Sequence, residues 1–292
     1  VLVVSTLTFT NAGDVSIAAS QAGGTNWNAA ADVTNTFGVT KAVAVVTLTN
    51  LNQTYDGTAR VVGYETDPSG LSVGLNYAGN TWAPTNAGNY AVTGLVNDVM
   101  YQGMAVETLR VDRATQSISF PSIDTQIQTS QVQLAATADS GLAVTFQVVS
   151  GPGQIGGPGG TNLTFTGYGM VSIRANQAGN GNWYPALPST NSFRVLGIFT
   201  VSVVSAYGTA IPPVGDFTGI EDTVLTNSVS SLDTQGTTQY VVCGWIMSAN
   251  EPASGTTTEV VMTLTNHCVL TWLWNTNYWL TTTAGLHGAV AP

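Results

Sequence analysis

Positive charge is scarce in this sequence. Its 292 residues include six Lys and Arg, with Lys41 the single lysine, against 16 Asp and Glu, and the net charge is −10. Nucleic-acid binding needs a basic face that neutralises phosphates, and six cations spread over this length do not supply one. The same deficit argues against docking on an anionic membrane surface. We therefore expect neither a nucleic-acid partner nor membrane insertion in this region.

Histidine, cysteine and long apolar runs are also scarce. Two His and two Cys are a small stock for catalysis or metal binding, so we expect no cofactor. The longest apolar run, residues 42–46, is far shorter than the roughly 20 residues that span a bilayer. No charged segment followed by an apolar stretch opens the chain, so no secretion signal is expected within it.

Alternation of apolar and polar residues dominates the sequence instead. Segments such as 71–75 and 260–264 alternate with period two, and Gly, Pro, Asn and Asp separate them. Val, Ile, Thr and Tyr are frequent in these runs, as expected for half-buried strands. No window of about 11 residues or more has the apolar stripe of an amphipathic helix. The sequence predicts an all-β fold.

An internal repeat divides the chain. Residues 7–39 align without gaps on 163–195, and 19 of the 33 positions are identical. A second, shorter similarity relates 207–212 to 287–292. Such periodicity is typical of repeat architectures. We therefore expect both ends to cut through modules of a longer array, with boundaries at 1–39, 40–113, 114–197, 198–277 and 278–292.

Three of these stretches resemble known bacterial modules. In 40–113 the marks of an MBG-type surface repeat are Thr54-Tyr55-Asp56-Gly57-Thr58, Asp67-Pro68-Ser69-Gly70-Leu71 and Pro84-Thr85-Asn86-Ala87-Gly88-Asn89-Tyr90. In 114–197 the marks of a bacterial Ig-like repeat are Ser140-Gly141-Leu142-Ala143-Val144-Thr145-Phe146, Gln177-Ala178-Gly179 and Asn182-Trp183. In 198–277 the marks of a divergent internalin-type B repeat are Gln239-Tyr240, Gly244-Trp245 and Leu270-Thr271-Trp272-Leu273-Trp274.

The resemblance implies a fold and a setting. It implies tandem small β-sandwich (Ig-like) and β-grasp-like modules in an extended array, within an extracellular or cell-surface bacterial protein. Residues 1–39 would be the second half of an Ig-like repeat, and 278–292 the start of a further repeat. Modules of these families act as spacers or adhesive units, so the resemblance transfers no catalytic residues.

Two short motifs match enzyme signatures but lack the required setting. Gly70-Leu71-Ser72-Val73-Gly74 fits a hydrolase nucleophile elbow, yet Ser72 lies in an alternating strand and His267 and His287 belong to other modules. Residues 151–156 fit a glycine-rich phosphate loop, yet a strand rather than a helix follows them. We interpret the second motif as a hairpin loop and expect no enzymatic activity.

Metal sites have weak support in the sequence. Carboxylates are isolated except for Glu221-Asp222, and no calcium-loop pattern occurs. A calcium site assembled from distant residues, for instance Asp112 and Asp124, stays open. His267 and Cys268 would need two further ligands that the spacing does not offer.

The two cysteines are candidates for a disulfide. By strand alternation Cys243 shares a face with Trp245, and Cys268 shares one with Trp272, so both would point at one aromatic core. The alternative is two buried free thiols. We favour the disulfide because an oxidising exterior is expected.

Aromatic residues raise a second functional hypothesis. A C-terminal group could stack on sugar rings in a carbohydrate-binding accessory region of a large secreted enzyme. Its members are Trp272, Trp274, Tyr278 and Trp279. The equivalent Trp27 and Trp183 are instead expected to be buried in their modules.

The leading hypothesis is a non-enzymatic stalk, adhesin or surface fibre. Its partners would be neighbouring repeats or identical subunits, with surface glycans or proteins as further candidates. Residues 1–39 lack counterparts of the strands expected in 116–149, so they should expose an apolar face and unpaired edges. We expect another segment to complete them, and favour the same long polypeptide over a neighbouring subunit.

Overall fold

The computed structural model describes residues 6–279 and 288. The chain divides into two compact units, and each is described by itself. The first unit contains the described residues up to Ser117 together with Ala178–Ala186, and the second contains Ile118–Gln177 and the described residues from Leu187 onward. The architecture is all-β, as the alternation predicts. Among residues 6–279, no helix is long and apolar enough to cross a membrane.

The hairpin segment, residues 6–39, begins the first unit. It contains β1 (Gly13–Gln21) and β2 (Ala30–Val39), which pair antiparallel as a two-stranded sheet. Its apolar side chains stay in contact with solvent: Ile17 is 44% exposed and Val33 68%. The hairpin segment therefore has the expected exposed apolar face and does not form a closed fold.

The predicted MBG-type module, residues 40–113, occupies most of the first unit. Its strands are β3 (Ala42–Val43), β4 (Val45–Thr49), β5 (Asn52–Thr54), β6 (Gly63–Asp67), β7 (Val73–Tyr77), β8 (Gly88–Val96), β9 (Tyr101–Gln102) and β10 (Met104–Asp112). One sheet has the order β5-β10-β8-β7, with β5 parallel to β10, while β4 pairs with β6 and β3 with β9. Val62, Val92 and Leu109 are the most buried residues of its core.

The predicted Ig-like module, residues 114–197, contributes the first half of the second unit, except for 114–117 and 178–186, which belong to the first unit. Its strands are β11 (Ile118–Ser119), β12 (Gln126–Ile127), β13 (Val132–Gln133), β14 (Thr137–Ala138), β15 (Thr145–Ser150), β16 (Gly153–Gly156), β17 (Asn162–Phe165), β18 (Gly169–Asn176) and β19 (Ser189–Leu196), with a 3-10 turn at Pro158–Gly160. A four-stranded sheet of order β12-β19-β18-β15 and a three-stranded sheet of order β13-β17-β16 contribute a core that includes Leu163, Ile173 and Val195.

The predicted B-type module, residues 198–277, completes the second unit. Its strands are β20 (Ile198–Val204), β21 (Ala210–Ile211), β22 (Gly215–Ile220), β23 (Val224–Val229), β24 (Leu232–Gln235), β25 (Thr238–Met247), β26 (Ser254–Gly255), β27 (Glu259–Thr263) and β28 (Cys268–Tyr278). The larger sheet has the order β22-β20-β28-β25-β24 with β26 on β25, and the smaller has the order β21-β23-β27. Phe199, Leu264 and Leu270 lie in its core.

The two copies of the repeat fold the same way locally. Val15 pairs with Phe37 in the hairpin segment, and Val171 pairs with Phe193 at the equivalent register. The Phe9 and Phe37 rings meet edge to face at 5.8 Å, and their counterparts Phe165 and Phe193 do so at 6.0 Å. The copies differ in what covers them, because β18 has β15 as a further neighbour while β1 pairs with β2 in a sheet of two.

This difference predicts unequal costs for the same substitution. Ile173 is 0% exposed and its counterpart Ile17 is 44% exposed. Ile173→Ala should lower the free energy of unfolding of the Ig-like module by about 2–5 kcal/mol, since it leaves a cavity in a packed core. Ile17→Ala should cost less than about 1 kcal/mol. Chemical denaturation of both variants measures the two costs, and equal costs would contradict the assignment of Ile17 to an uncovered face.

Candidate interaction surfaces

A loop with the sequence Asn-Trp is anchored on the MBG-type module within the first unit. This Trp183 loop comprises residues 178–185. The Asn182 side chain accepts a hydrogen bond from the Ala87 amide at 2.8 Å and donates one to Asn86 Oδ1 at 3.0 Å. The Trp183 ring meets Tyr55 edge to face at 5.7 Å. Both side chains of the Asn-Trp pair therefore bind surface features of one module.

Main-chain bonds fix the same loop to the segment that follows β10. The Ala114 amide donates to the Asn182 carbonyl at 2.9 Å, and the Tyr184 amide donates to the Ala114 carbonyl at 2.8 Å. The side-chain amide of Gln116 also donates a hydrogen bond to the Tyr184 carbonyl at 2.7 Å. The two main-chain bonds of Ala114 form a short parallel β-bridge between Ala114 and Trp183. The loop is bound through its backbone as well as its side chains.

The expected burial of both repeat tryptophans is wrong for one of them. Trp183 is half-buried, whereas Trp27, at the equivalent position, is 81% exposed. Trp183 is covered through contacts such as that with Tyr55, outside its own repeat, so neither tryptophan fills the core of its module as expected. Sequence identity between the copies could not reveal this.

A groove of about 420 Å³ lies beside the Trp183 loop in the first unit. Its polar lining includes Asn89, Arg110, Asp112, Arg113 and Tyr184. Arg110 Nε donates to Asp112 Oδ1 at 2.7 Å, and the Arg113 guanidinium lies 5.8 Å from the centre of the Tyr184 ring. Both cations therefore already have partners within the groove.

An arginine clamp lies in the second unit, on β19. Arg194 Nη1 donates to Asp222 Oδ2 and Nη2 to Glu221 Oε1, each at 2.6 Å. Glu221 Oε2 in turn accepts a hydrogen bond from the Gly197 amide at 2.9 Å. The hydrogen bonds that Arg194 donates to Asp222 and Glu221 raise its pKa. Glu221 and Asp222, the one pair of adjacent acidic residues in the sequence, are thus both ion-paired with the Arg194 guanidinium.

The four C-terminal aromatic residues do not form one platform. Trp272 is 2% exposed and belongs to the module core, so it cannot stack on a ligand. Trp274 is half-buried, and its indole Nε1 donates to Ser205 Oγ at 3.0 Å. Tyr278 and Trp279 are 78% and 62% exposed. The structure thus leaves these two accessible.

A tyrosine cluster that the sequence analysis did not identify lies near Trp274. Tyr207 and Tyr240 stack with parallel rings 3.5 Å apart, and Trp274 meets Tyr207 edge to face. Interaction with the Tyr207 hydroxyl raises the pKa of Tyr240. In the β25–β28 register Tyr278 pairs with Thr238, which places it on the same sheet face as Tyr240. Tyr207, Tyr240 and Tyr278 form what we call the tyrosine cluster.

The disulfide between Cys243 and Cys268 is not formed: both are free thiols. A bulge between Val242 and Gly244 in β25 breaks the alternation and leaves Cys243 exposed, while Cys268 is buried. Leu273 pairs with Gly244, next to Cys243, and Cys268 lies five residues away along β28. This separates the two Cα atoms by roughly 15 Å, beyond the reach of a disulfide.

The enzyme-like motifs have structural roles. Ser72 immediately precedes β7 rather than lying within a strand as predicted, and its carbonyl accepts a hydrogen bond from the Asn97 amide. His267 Nδ1 accepts a hydrogen bond from the Thr200 amide at 2.9 Å, and its ring packs on Phe199. His287 lies outside the described residues. Within 151–156, residues Gly153–Gly156 form strand β16, which pairs antiparallel with β17, so the predicted hairpin loop is wrong for these residues. The loop of this hairpin lies at 157–161, between the two strands.

Across residues 6–279, no three His, Cys, Asp or Glu side chains converge on a point where a metal ion could bind. Asp112 is paired with Arg110 as described above. The carbonyl of Asp124 accepts a hydrogen bond from Gln126.

Comparison with known proteins identifies one of the modules. Residues 44–115 match the MBG domain family, which confirms the MBG-type assignment made from the motifs in 40–113. The match covers about a quarter of the chain and assigns that module alone. No curated protein matches the sequence. This match agrees with the interpretation of the chain as part of a bacterial cell-surface repeat protein.

Solved structures with similar chains include tandem Ig domains and surface proteins. The I-band fragment I67–I69 of titin is 10% identical with a TM-score of 0.26, over 78% of this chain and 95% of that one. Domains 1–6 of the surface layer protein SbsC are 12% identical with a TM-score of 0.25, over 91% and 44%. The Bacteroides ovatus protein SGBP-B, solved with a mixed-linkage heptasaccharide, is 11% identical with a TM-score of 0.20, over 75% and 57%.

The free thiols predict selective labelling. Burial raises the pKa of the Cys268 thiol, which lowers its thiolate fraction at neutral pH, and the same burial excludes reagents. A thiol reagent should therefore modify Cys243 in the native protein and Cys268 only after unfolding. Cys243→Ser should remove the fast reaction. Absence of any fast-reacting thiol in the native, non-reduced protein would contradict the free exposed cysteine.

The arginine clamp predicts salt-dependent stability. Arg194→Ala should lower the melting temperature of the second unit, because two carboxylates lose their shared cation. The effect should shrink in ~1 M NaCl, since the side chain is partly exposed and salt screens the attraction. Arg194→Lys should retain part of the stability, because it keeps the charge but loses the two-pronged geometry. An Arg194→Ala melting temperature equal to that of the parent at low salt would refute the clamp.

Proposed function

We propose that this chain is a non-enzymatic, extracellular structural or adhesive repeat region of a large bacterial protein. The observation that carries the proposal is the repetition of one strand pair, with a similar sequence and the same register, on either side of an MBG-type module. Such repetition is typical of repeat arrays, in which each module contacts its neighbours along the chain.

Separate hydrophobic cores support this function. The three core clusters lie in residues 44–111, 134–195 and 199–272, one in each of the predicted modules 40–113, 114–197 and 198–277. Connections are short: β19 ends at Leu196 and β20 begins at Ile198. Short connections restrict bending, so modules of this kind suit a semi-rigid spacer. Its partners would be neighbouring repeats or identical subunits, at the cell surface.

Force spectroscopy tests the modular spacer directly. When the chain is stretched between its ends, each module should unfold in its own step, because no core cluster is shared between modules. Each step should release about 25–30 nm, from a chain of 70–85 residues at roughly 3.6 Å per residue. Ile173→Ala should weaken a single step and leave the others unchanged. One cooperative unfolding event would overturn the modular spacer.

Location at the cell surface needs its own experiment. An antibody raised against this region should label intact cells of the source bacterium, and external protease should remove the label. Labelling that requires permeabilised cells would overturn the extracellular assignment.

The tyrosine cluster favours glycan binding as a second candidate function. Tyr207 and Tyr240 are half-buried and Tyr278 is exposed, so this cluster offers aromatic surface to a sugar ring. Asp233, which pairs with Tyr240 across β24 and β25, is an adjacent hydrogen-bond acceptor. This candidate retains Tyr278 from the sequence-based group and omits the buried Trp272.

Glycan arrays followed by calorimetry separate the two functions. If the cluster binds glycans, Tyr240→Ala and Tyr278→Ala should weaken binding at least about tenfold, by loss of ring stacking. Trp82→Ala is the matched control, since Trp82 is a 70% exposed aromatic residue of another module. Absence of glycan binding, or an equal loss in Trp82→Ala, would rule out this role for the cluster.

A further inference from the structure

The Trp183 loop has a twin with a similar sequence in the hairpin segment. This Trp27 loop comprises residues 22–29, and it shares the Ala-Gly-x-x-Asn-Trp sequence with 178–183. The Gly24 amide donates to the Trp27 carbonyl at 2.9 Å, and the Asn180 amide donates to the Trp183 carbonyl at 3.0 Å. The two loops close through the same main-chain bond.

A glycine enforces this shape in both copies. Gly23 and Gly179 have φ values of +77° and +72°, which L-residues with a side chain rarely adopt. A Cβ on Gly23 would lie 2.7 Å from the Trp27 carbonyl oxygen, and one on Gly179 would lie 2.4 Å from that of Trp183. The loop is therefore shaped by its own sequence, whether or not something is bound to it.

The twins differ in their surroundings. In the Trp183 loop, Asn182 is bonded to Asn86 and Ala87, and Trp183 packs on Tyr55. In the Trp27 loop both Asn26 and Trp27 are exposed. Leaving a tryptophan 81% exposed forgoes the free energy of burying one of the largest apolar side chains. A preformed loop with an exposed Asn-Trp pair is typical of a binding element without its partner.

We propose that the Trp27 loop is a docking element for a second MBG-type module, placed ahead of the hairpin segment in the same polypeptide. The receiving residues Tyr55, Asn86 and Ala87 all lie in motifs that mark the MBG-type module, so the partner is identified by the chemistry of its surface. Its covering residues would be the counterparts of these three. The proposal rests on the repeat-array function, since it requires a further module.

The position of the partner follows from the main-chain bonds of the seated twin. Ala114, which pairs with the Trp183 loop, directly follows the MBG-type module along the chain. The counterpart of Ala114 would likewise join the second module to the strands that complete the hairpin segment. A second copy of this chain is a poor partner, because its own Trp183 loop already covers Tyr55, Asn86 and Ala87.

A hybrid chain supplies the missing partner. In this hybrid, residues 40–162 replace residues 1–6 and are joined directly to Leu7. Residues 7–39 are then preceded by an MBG-type module and by the earlier strands of an Ig-like repeat. In the Trp183 loop the Tyr184 amide donates a hydrogen bond to the Ala114 carbonyl. The equivalent Asn28 amide should therefore gain a hydrogen bond in the hybrid. Hydrogen exchange at Asn28 should slow at least about tenfold relative to the parent chain. Gly24 is the control amide, since its bond lies within the loop in both chains.

Substitution in the two chains gives the second readout. Trp27→Ala should lower the melting temperature of the hybrid and leave the parent unchanged, while Trp183→Ala should lower it in both. The proposal is overturned if the strands of 7–39 are protected in the hybrid while Asn28 exchanges as fast as in the parent. Concentration-dependent association of the parent chain, abolished by Trp27→Ala, would overturn the choice of a partner in the same polypeptide.

A loop graft tests the docking chemistry even if the hybrid does not fold. Asn180→Gly, Gly181→Thr, Tyr184→Asn and Pro185→Ala give residues 178–185 the sequence of 22–29. Exchange at the residue 184 amide should stay within about threefold of the parent. The reference is the Asn182→Ala/Trp183→Ala variant, in which this exchange should be fast. A graft that exchanges as fast as the reference would overturn the proposal, while independent unfolding of the modules under force would leave the repeat-array function standing.

Discussion

A pair of β-strands cannot bury its apolar face without a second layer, and this constraint governs the whole chain. β18 and β19 meet it through β15 on one side, β12 on the other and the sheet containing β17, so Ile173 and Val195 are fully buried. β1 and β2 have a similar sequence and the same register, yet Ile17 and Val33 stay exposed. The unit that can bury its core is therefore the whole module, and a strand pair is half of one.

Local regularities were predictable from the sequence because they depend on neighbours along the chain. Period-two alternation indicated strands, and the repeat between 7–39 and 163–195 indicated that both copies would pair alike. The MBG-type assignment is confirmed as well. The limits of the other modules remain predictions, and the division of the structure into two compact units does not follow them.

The failures share a physical cause, which is that burial depends on partners the sequence does not specify. Trp27 was expected to be buried because the pattern around it matches Trp183, but Trp183 is covered by Tyr55, which is far away along the chain. Cys243 was assigned to the core face by alternation, and a single bulge in β25 reversed that face. Tyr207 and Tyr240 escaped notice because the fold, rather than sequence proximity, brings their rings together.

The sparse cations also bear on resistance to proteases. Proteases of trypsin specificity cut after Lys or Arg, and they bind the substrate as an extended, unpaired strand. Three of the six basic residues, Arg110, Arg174 and Arg194, lie within hydrogen-bonded strands of sheets. Lys41 and Arg113 are exposed, and their side chains contact the Asp98 carbonyl and the Tyr184 ring. A chain of this length thus offers such enzymes few places to cut while its sheets remain intact.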